Sequence, residues 1–286
     1  MTERHTHHAQ AGTLYIVATP IGNLGDISQR ALDTLKSVDV IACEDTRTSG
    51  KLLSFFNIST PTIAYHEHNA DSQTARIIDM LNAGKSVALI SDAGTPLISD
   101  PGFRLVRTAH EHSLPTVPIA GACAMVAALS VAGLPSDKFS FLGFLPAKSA
   151  ARQSVLNDYK DRSETLIFYE APHRICESVA DMAAVFGGER EATLCREISK
   201  TFETIKKLPL ADLLEFINND ANQQKGEIVL VIAGNKQPKT ATNYDDWLLA
   251  LAEELPPKKA SGIVAQVLGI KKGEVYDRLL ALQNNS

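Results

Sequence analysis

The sequence of 286 residues contains few cysteines and no long hydrophobic run. Its four cysteines, Cys43, Cys123, Cys176 and Cys195, form no Cys-x-x-Cys pair and have no histidine at ligand spacing. This pattern excludes a disulfide scaffold and a zinc site, so no metal is expected, and it favours reduced thiols in a cytoplasmic protein. No apolar stretch approaches the roughly 20 residues that cross a bilayer. Residues 1–12 lack the apolar segment of a signal peptide and are predicted to form a flexible tail.

An excess of positive charge is also missing. The chain has 28 Lys and Arg residues against 33 Asp and Glu residues, a net charge of −5. A protein that coats nucleic acid non-specifically needs a strongly basic surface, so this class is disfavoured, although a local basic patch is not. With 44% hydrophobic residues the chain can bury sizeable cores, which excludes intrinsic disorder and collagen. The length is that of about two domains.

Short apolar runs alternate with amphipathic helical patterns from residue 13 onward. The runs at 14–18, 38–42 and 87–90 predict buried strands, and residues 122–131, apolar almost all round, predict a buried helix. Such alternation is typical of a mainly parallel α/β domain, here over 13–132.

A second α/β series follows a hinge at residues 133–136. The sequence predicts strands at 139–145, 165–169, 192–195 and 227–232, with helices around 175–185 and 210–217. This domain is expected to cover 133–235 and to end in a polar linker. The remaining segment, 240–286, is predicted to be a helical C-terminal region in which two helices flank Gly269, the outline of a helix-turn-helix.

Three loops have ligand-binding character. Residues 19–26 follow the first strand and contain two glycines, but their spacing is not Gly-x-Gly-x-x-Gly, and an ordinary turn explains them equally well. Residues 91–102 follow another strand, at the edge where ligands collect in α/β sheets; the alternative is that Asp92 and Asp100 merely cap helices. Residues 120–124 are small enough to admit a flat ring, or only to allow close helix packing.

Residues 44–47, Glu-Asp-Thr-Arg, place two acids and a base at a predicted strand end. This cluster is either part of a site or a salt-bridged helix cap, which is the commoner role of such runs.

Six longer motifs occur in order between residues 14 and 234. They are TPIGNLGDISQRAL, ACEDTR, SDAGTPLISDPG, GFLPAK, FYEAPHR and KGEIVLVIAG. Together they resemble the successive signatures of the tetrapyrrole methylase superfamily, and within it the branch that methylates ribose 2′-hydroxyl groups of 16S ribosomal RNA. One position departs from the family pattern, because Ala120 stands where proline usually precedes the glycine.

The resemblance implies two α/β domains that form a cleft around S-adenosylmethionine, and it implies a homodimer. Carried over residue by residue, the cofactor-binding residues are Thr19, Pro20, Gly22, Asp92, Ala93, Gly94, Thr95, Pro96, Ile98, Ala122, Cys123, Ala124, Gly226 and Glu227. The residues by themselves indicate the first three loops as ligand loops. The segment with Gly226 and Glu227 is expected from the resemblance alone.

The implied reaction is in-line attack of a ribose hydroxyl on a sulfonium methyl group, in which alignment matters most. Because a ribose hydroxyl is a poor acid, a nearby base would help. The candidates in signature segments are Asp100, Lys148, Glu170 and Lys225, each of which could instead bind phosphate or hold the cleft together. A lysine acts as a base only if its pKa is lowered. We take Asp100 and Lys148 as catalytic candidates, and Lys148 and Arg174 as contacts to the RNA backbone.

The C-terminal region carries a local basic patch. Between residues 256 and 280 there are five basic residues against two acidic ones, on a chain that is acidic overall. Lys258, Lys259, Lys271 and Lys272 are therefore RNA-binding candidates, since phosphate contacts need such a patch. The alternative is an ordinary solvated helix face.

The favoured function is 2′-O-methylation of a decoding-centre cytidine in 16S ribosomal RNA, within the 30S subunit. One alternative keeps the cofactor and changes the acceptor to a porphyrin or a protein; the forms GFLPAK and SDAGTPLISDPG speak against it, because those relatives carry different versions. The other alternative is a non-catalytic nucleic-acid-binding protein built around the helix-turn-helix. The density of loop signatures before residue 235 favours an enzyme over this second alternative.

Overall fold

The structure, a computed structural model, describes residues 9–235 and 244–284. Contacts divide the chain into two units. The first is the described part of Met1–Lys160 together with Glu164–Gly234, and the second is Asp161–Ser163 with the described part of Asn235–Ser286. Most of the predicted tail (1–8), most of the polar linker, residues 240–243 and the last two residues lie outside the described residues.

The first half of the first unit is a parallel five-stranded sheet with helices on its faces. Its strand order is β3-β2-β4-β1-β5. The elements in chain order are β1 (Leu14–Val17), α1 (Gln29–Ser37), β2 (Val40–Cys43), α2 (Thr46–Phe55), β3 (Thr62–Ala64), α3 (Ala70–Asn82), β4 (Val87–Ile90), α4 (Phe103–Glu111), β5 (Thr116–Ile119) and α5 (Ala124–Val131). Since both faces of β2 and β4 are covered, their side chains are all buried, which explains their continuous apolar sequence.

The second half is a mixed sheet in the order β6-β7-β10-β8-β9, in which only β6 and β7 run parallel. Its elements are β6 (Phe139–Phe144), α6 (Ser149–Tyr159), β7 (Thr165–Glu170), α7 (Ile175–Phe186), β8 (Glu191–Arg196), β9 (Thr204–Pro209), α8 (Leu210–Asn219) and β10 (Ile228–Ile232). The helices α6, α7 and α8 pack on one face, and α5 packs on the other. The predicted α/β class is thus confirmed.

The structure contains three strands and three helices that the sequence pattern did not predict. The strands β3, β5 and β9 are all edge strands. Edge strands are less buried and carry polar or ring-constrained residues, here Pro118 in β5 and the exposed Lys206 and Lys207 in β9. The helices α2, α4 and α6 carry many polar residues, and the apolar spacing of α6 is weak, whereas α4 has a clear amphipathic pattern that was not recognised.

The helix predicted at 122–131 forms, but the prediction that it is buried is wrong. Ala128 of α5 is fully buried against the second sheet, whereas Val126 and Val131 are 54% and 51% exposed. Only one face of this helix meets the sheet, so the remaining apolar side chains face outward.

The described part of the second unit contains three helices, and the prediction of a helical C-terminal region is confirmed. They are α9 (Asp245–Glu254), α10 (Pro257–Leu268) and α11 (Lys272–Asn284). Gly269 ends α10 in the left-handed conformation, with φ +66°, which glycine adopts without a Cβ penalty. A small core that includes Leu248, Val264 and Leu279 holds the three helices together. Among the described residues, every helix is too short or too polar to span a membrane.

Candidate functional site

A cavity of about 370 Å³ lies where loops after β1, β4 and β5 meet the second sheet. The predicted site residues that line it are Ala93, Gly94, Thr95, Ile98, Asp100, Cys123, Ala124, Glu170, Gly226 and Glu227. It therefore brings together the second and third predicted loops and the segment that the resemblance alone indicated. The first loop contributes Ile21.

Backbone hydrogen bonds fix the three loops to one another. Thr19 and Gly94 form an isolated antiparallel bridge, with N–O distances of 2.8 and 3.1 Å. Thr95 donates its hydroxyl to the carbonyl of Ala122 at 2.9 Å. Thr19 and Pro96 are buried and do not line the cavity, so these two predicted residues pack behind the residues that do. Ala122 likewise acts through its carbonyl and does not line the cavity.

Two glycines in the wall cannot be replaced without cost. Gly94 has φ +85°, and a Cβ there would lie 3.3 Å from Cγ2 of Ile21. Gly226 has φ +81°, and a Cβ there would collide with the carboxylate of Glu197. Both positions have a positive φ, which L side chains avoid, so a substitution at either one strains the backbone.

Asp100 is a half-buried carboxylate in this cavity. Burial raises its pKa to about 6, a hydrogen bond with the Ser91 side chain opposes the rise, and the nearby carboxylates of Glu44 and Asp92 add to it. A carboxyl group with a pKa near neutrality can exchange a proton under physiological conditions. This places a group suited to acid–base chemistry in the cavity wall.

The helix-capping interpretation of Asp92 and Asp100 is wrong. Helix α4 begins after Gly102 with no side-chain cap, and Asp92 accepts a hydrogen bond from the backbone N–H of Asp45 at 3.2 Å. For residues 44–47, in contrast, the capping interpretation is confirmed. Asp45 caps α2 by accepting from the N–H of Arg47 at 2.8 Å, and its carboxylate pairs with the Arg47 guanidinium at 2.9 Å.

Tyr169 is a further polar group in the cavity, and sequence reasoning gave it no role. Its hydroxyl oxygen accepts a hydrogen bond from the N–H of Met125 at 3.2 Å. Phe141 and Phe144 pack edge-on against its ring, at centroid distances of 4.8 and 5.7 Å. Burial, together with the neighbouring Cys123, raises the pKa of Tyr169 to about 12, so the phenol stays protonated at neutral pH.

The sequence did not predict a cluster of ion pairs beside the cavity, which is formed by Glu197, Lys200 and Glu227. The Lys200 ammonium lies 2.8 Å from Glu197 Oε1 and 3.0 Å from Glu227 Oε2. Its aliphatic chain covers Gly22, where any Cβ would collide with it. Lys200 thereby connects the first loop to the segment before β10, which contains Glu227. The i, i+3 spacing of Glu197 and Lys200 is the one signal that the sequence offers.

The other proposed acid–base and phosphate-binding groups lie in different surroundings. Glu170 is buried and holds Arg174 at 2.6 Å and Ser178 at 2.5 Å, so Arg174 is tied to the cavity wall. Lys148 is exposed at the N-cap of α6 and lies outside the cavity. Lys225 is exposed and donates to Asn222 at 3.2 Å.

The backbone before Lys148 is anchored by a buried arginine. Arg152 is 1% exposed, and its Nε lies 2.6 Å from Asp181 Oδ2. It also donates to the carbonyls of Pro146 and Ala147 at 3.5 and 3.3 Å. This network fixes the direction in which the loop presents Lys148.

A groove of about 460 Å³ adjoins the cavity and contains the remaining predicted cofactor residues, Pro20, Gly22 and Asp92. In the second unit, Lys258, Lys259, Lys271 and Lys272 are all exposed. Arg278, which the sequence analysis counted in the basic patch, is paired with Asp245 at 2.6 Å.

Known proteins resemble this chain in sequence and in fold. The family model described as Tetrapyrrole (Corrin/Porphyrin) Methylases matches residues 13–214, and the model described as RsmI C-terminal HTH domain matches residues 239–283. Among solved structures, a diphthine synthase has a TM-score of 0.61 at 16% identity, with 77% of this chain and 90% of that chain covered. The uroporphyrin-III-C-methyltransferase from Thermus thermophilus has a TM-score of 0.53 at 19% identity, with 78% and 94% covered. These two similarities concern the fold.

Similarity in sequence is much higher to curated proteins named ribosomal RNA small subunit methyltransferase I. The Pseudomonas aeruginosa protein is 54% identical over 283 residues, covering 96% of this chain and 99% of its own. The Vibrio cholerae protein is 53% identical, covering 96% and 97%, and the Escherichia coli O157:H7 protein is 46% identical, covering 99% and 100%.

Proposed function

The chain belongs to the tetrapyrrole methylase family, and on that premise we propose that this methyltransferase modifies a ribose 2′-hydroxyl in 16S ribosomal RNA. The methyl donor is S-adenosylmethionine. The proposed acceptor is a cytidine of the decoding centre, presented by the 30S subunit in the cytoplasm. The observation that carries the proposal is that the methylase signature loops line one cavity, with the half-buried carboxylate of Asp100 in its wall.

The cavity fits the donor in size and lining. Its volume of about 370 Å³ lies within the range of small-ligand sites, roughly 300–1,000 Å³. Gly94 and Gly226 line the cavity through backbone atoms alone. The first turn of α5 meets the cavity through Cys123 and Ala124, and a helix N-terminus favours an anion such as the donor's carboxylate. The residues that would hold the donor are those of the second and third loops, with Gly226 and Glu227 opposite them.

Bound S-adenosylmethionine supplies a methyl group on a sulfonium, a leaving group that is already activated. The chain's residues then have to align the acceptor oxygen and remove its proton. Above pH 6 the Asp100 carboxylate is ionised and accepts that proton in our proposal. Tyr169 keeps its proton and can donate a hydrogen bond, while Ile21 and Phe144 add apolar surface to the cavity wall.

Basic residues at three places are proposed to contact the RNA backbone. Lys148 is exposed on the loop that Arg152 anchors, and Arg174 lies beside the cavity, paired with Glu170. The exposed lysines of α10, of α11 and of the turn between them form the third place. Because the whole chain is acidic, these local contacts favour an assembled particle over naked RNA as the substrate.

A labelling experiment tests the acceptor. Purified protein is incubated with methyl-labelled S-adenosylmethionine and 30S subunits from cells that lack the activity, with free 16S RNA and ribosomal proteins in parallel. We expect label on the ribose of a single cytidine in the 30S reaction and at least a tenfold lower yield on free RNA. Digestion of the RNA to nucleosides locates the label.

Other outcomes would contradict separate parts of the proposal. Label on a base or on protein would support the proposed donor but contradict the proposed acceptor. Efficient methylation of free RNA would overturn the requirement for the 30S particle. Donor binding without any transfer to RNA would favour a porphyrin or another protein acceptor, and RNA binding without donor binding would favour a non-catalytic binder.

We also propose that the protein is a homodimer. Helix α5 is apolar on nearly every face, yet only Ala128 is fully buried, and exposed apolar surface of this kind is typical of protein interfaces. Phe139, at the start of the edge strand β6, adds a further exposed apolar side chain. A second copy that covers α5 would remove this surface from water.

Placing charge on α5 should separate the dimer. We expect the double variant Val126→Glu/Val131→Glu to elute as a monomer in size-exclusion chromatography with light scattering, while its circular dichroism stays that of the wild type. The control is Val267→Glu, at a valine of α10 that is 71% exposed, which should not change the mass. A monomeric wild type, or a double variant that remains dimeric, would contradict this interface.

A further inference from the structure

The groove beside the cofactor cavity is open, and the two share part of their walls. Ile21, Ala93 and Glu227 line both. A ligand in the groove would therefore lie next to the donor, against the remaining predicted cofactor residues, which this inference assigns to the RNA instead. The groove's volume of about 460 Å³ falls within the range of sites for drug-sized molecules, roughly 300–1,000 Å³, which suits a unit as large as a nucleotide.

One face of α2 forms the far side of this groove. Thr48, Lys51, Leu52 and Phe55 all line it, at spacings of three and four residues that put them on one side of the helix. Phe55 is 62% exposed, which is unusual for a large apolar ring at a cavity edge. Its ring lies nearly perpendicular to that of Phe56, with 4.9 Å between the two centroids, and most of its surface is open to a ligand.

The charges in the groove are nearly balanced, and among its described lining residues only one cation is available to a ligand. Lys200 is held by Glu197 and Glu227, and Asp92 accepts the N–H of Asp45. Lys51 is exposed, and within the described part of the chain no carboxylate lies at ion-pair distance from it. Stacking therefore offers more binding energy here than charge does, and Lys51 can neutralise a single phosphate.

We propose that this groove binds one unpaired nucleotide of the RNA substrate, with its base stacked on Phe55 and its phosphate near Lys51. Exposed aromatic rings beside an isolated cation are how proteins hold single-stranded RNA, because every base has a π face. The groove's continuity with the cavity makes this nucleotide a near neighbour of the methylated ribose. This inference rests on the proposed function, since it takes the acceptor to be RNA.

The test uses Phe55→Ala in the full-length protein. We expect kcat/KM for unmodified 30S subunits to fall roughly tenfold, the size expected for one lost base stack. The Kd of S-adenosylmethionine, measured by calorimetry, should stay within about twofold of the wild type because Phe55 does not line the cofactor cavity. Phe55→Trp should keep most of the activity, since indole also stacks. Lys51→Ala should give a smaller loss and a weaker salt dependence.

Matched controls are Phe103→Ala and Lys36→Ala. Phe103 is 69% exposed on α4, Lys36 is exposed on α1, and neither lines the groove. Both variants should behave as the wild type. Unchanged kcat/KM in Phe55→Ala, or a parallel loss of donor affinity, would overturn the inference.

Binding of a fluorescein-labelled single-stranded RNA of about ten nucleotides separates this inference from the proposed function. If the wild type transfers no methyl group to RNA but Phe55→Ala still weakens RNA binding about tenfold, the function is wrong and the nucleotide site stands. If Phe55→Ala loses activity on 30S subunits yet binds the RNA as tightly as the wild type, the ring contacts a ribosomal protein and the inference is wrong.

Discussion

Replacing Gly94 by tryptophan is expected to weaken S-adenosylmethionine binding by roughly 100-fold or more and to abolish methyl transfer, because the indole would fill a cavity of this size. Gly94 lines the cavity at φ +85°, and its virtual Cβ already lies 3.3 Å from Ile21. The smaller variant Gly94→Ala keeps the space largely open and should show an intermediate affinity. Titration calorimetry with the donor and the labelling assay measure both effects.

The control for backbone strain is Gly84→Trp. Gly84 has nearly the same conformation, φ +81°, but no atom lies within 4 Å of the position that a Cβ would take. Both variants therefore lose stability through the backbone, by about 1 kcal/mol or somewhat more. Only the Gly94 variant should lose the donor. Equal donor affinity in the two variants would show that this cavity is not the donor site.

Replacing Asp100 by asparagine is expected to lower kcat by about 10² to 10⁴, the usual contribution of a positioned base. The amide preserves the shape of the side chain but cannot accept a proton from the ribose hydroxyl. The Kd of the donor should change little. In the wild type, kcat should rise with pH through about 6 and then level off, as the carboxyl group ionises. The variant should lack this step.

The same substitution should stabilise the fold at neutral pH. Burial raises the pKa of Asp100 from 3.8 to about 6, so the folded state binds the proton more tightly than the unfolded state does. Its contribution to stability is present below about pH 4, is lost as pH rises through 6, and is constant above that. The amide of the Asp100→Asn variant carries no charge to desolvate. We therefore expect a Tm higher than that of the wild type by about 2–4 °C at pH 8, and no gain at pH 4.

The control is Asp79→Asn, which changes an exposed carboxylate on α3. It should alter neither kcat nor Tm. If Asp100→Asn retains kcat within threefold, Asp100 is not the base. If it lowers Tm at every pH, the Asp100 carboxylate stabilises the folded state rather than destabilising it.

The fold class, the family and most of the cavity's loops could be predicted from the sequence. Central strands such as β4 are buried on both faces and therefore show an uninterrupted apolar run. Ligand loops follow the carboxyl ends of such strands, so residues 91–102 could be recognised from their place in the chain. These signals depend only on residues that are neighbours in the chain, so a single sequence is enough to recognise them.

How the loop residues divide between the cavity and the groove depends on the tertiary structure. Asp92 and Asp100 are equivalent in the sequence, yet one lines the open groove and the other the cavity, where burial raises its pKa. Tyr169 and Lys200 come from distant segments and acquire their roles through contacts with Met125 and Glu227. The exposure of α5 likewise depends on how little of it the second sheet covers. Burial and non-local contact arise only when the chain folds, so no periodicity or motif could reveal them.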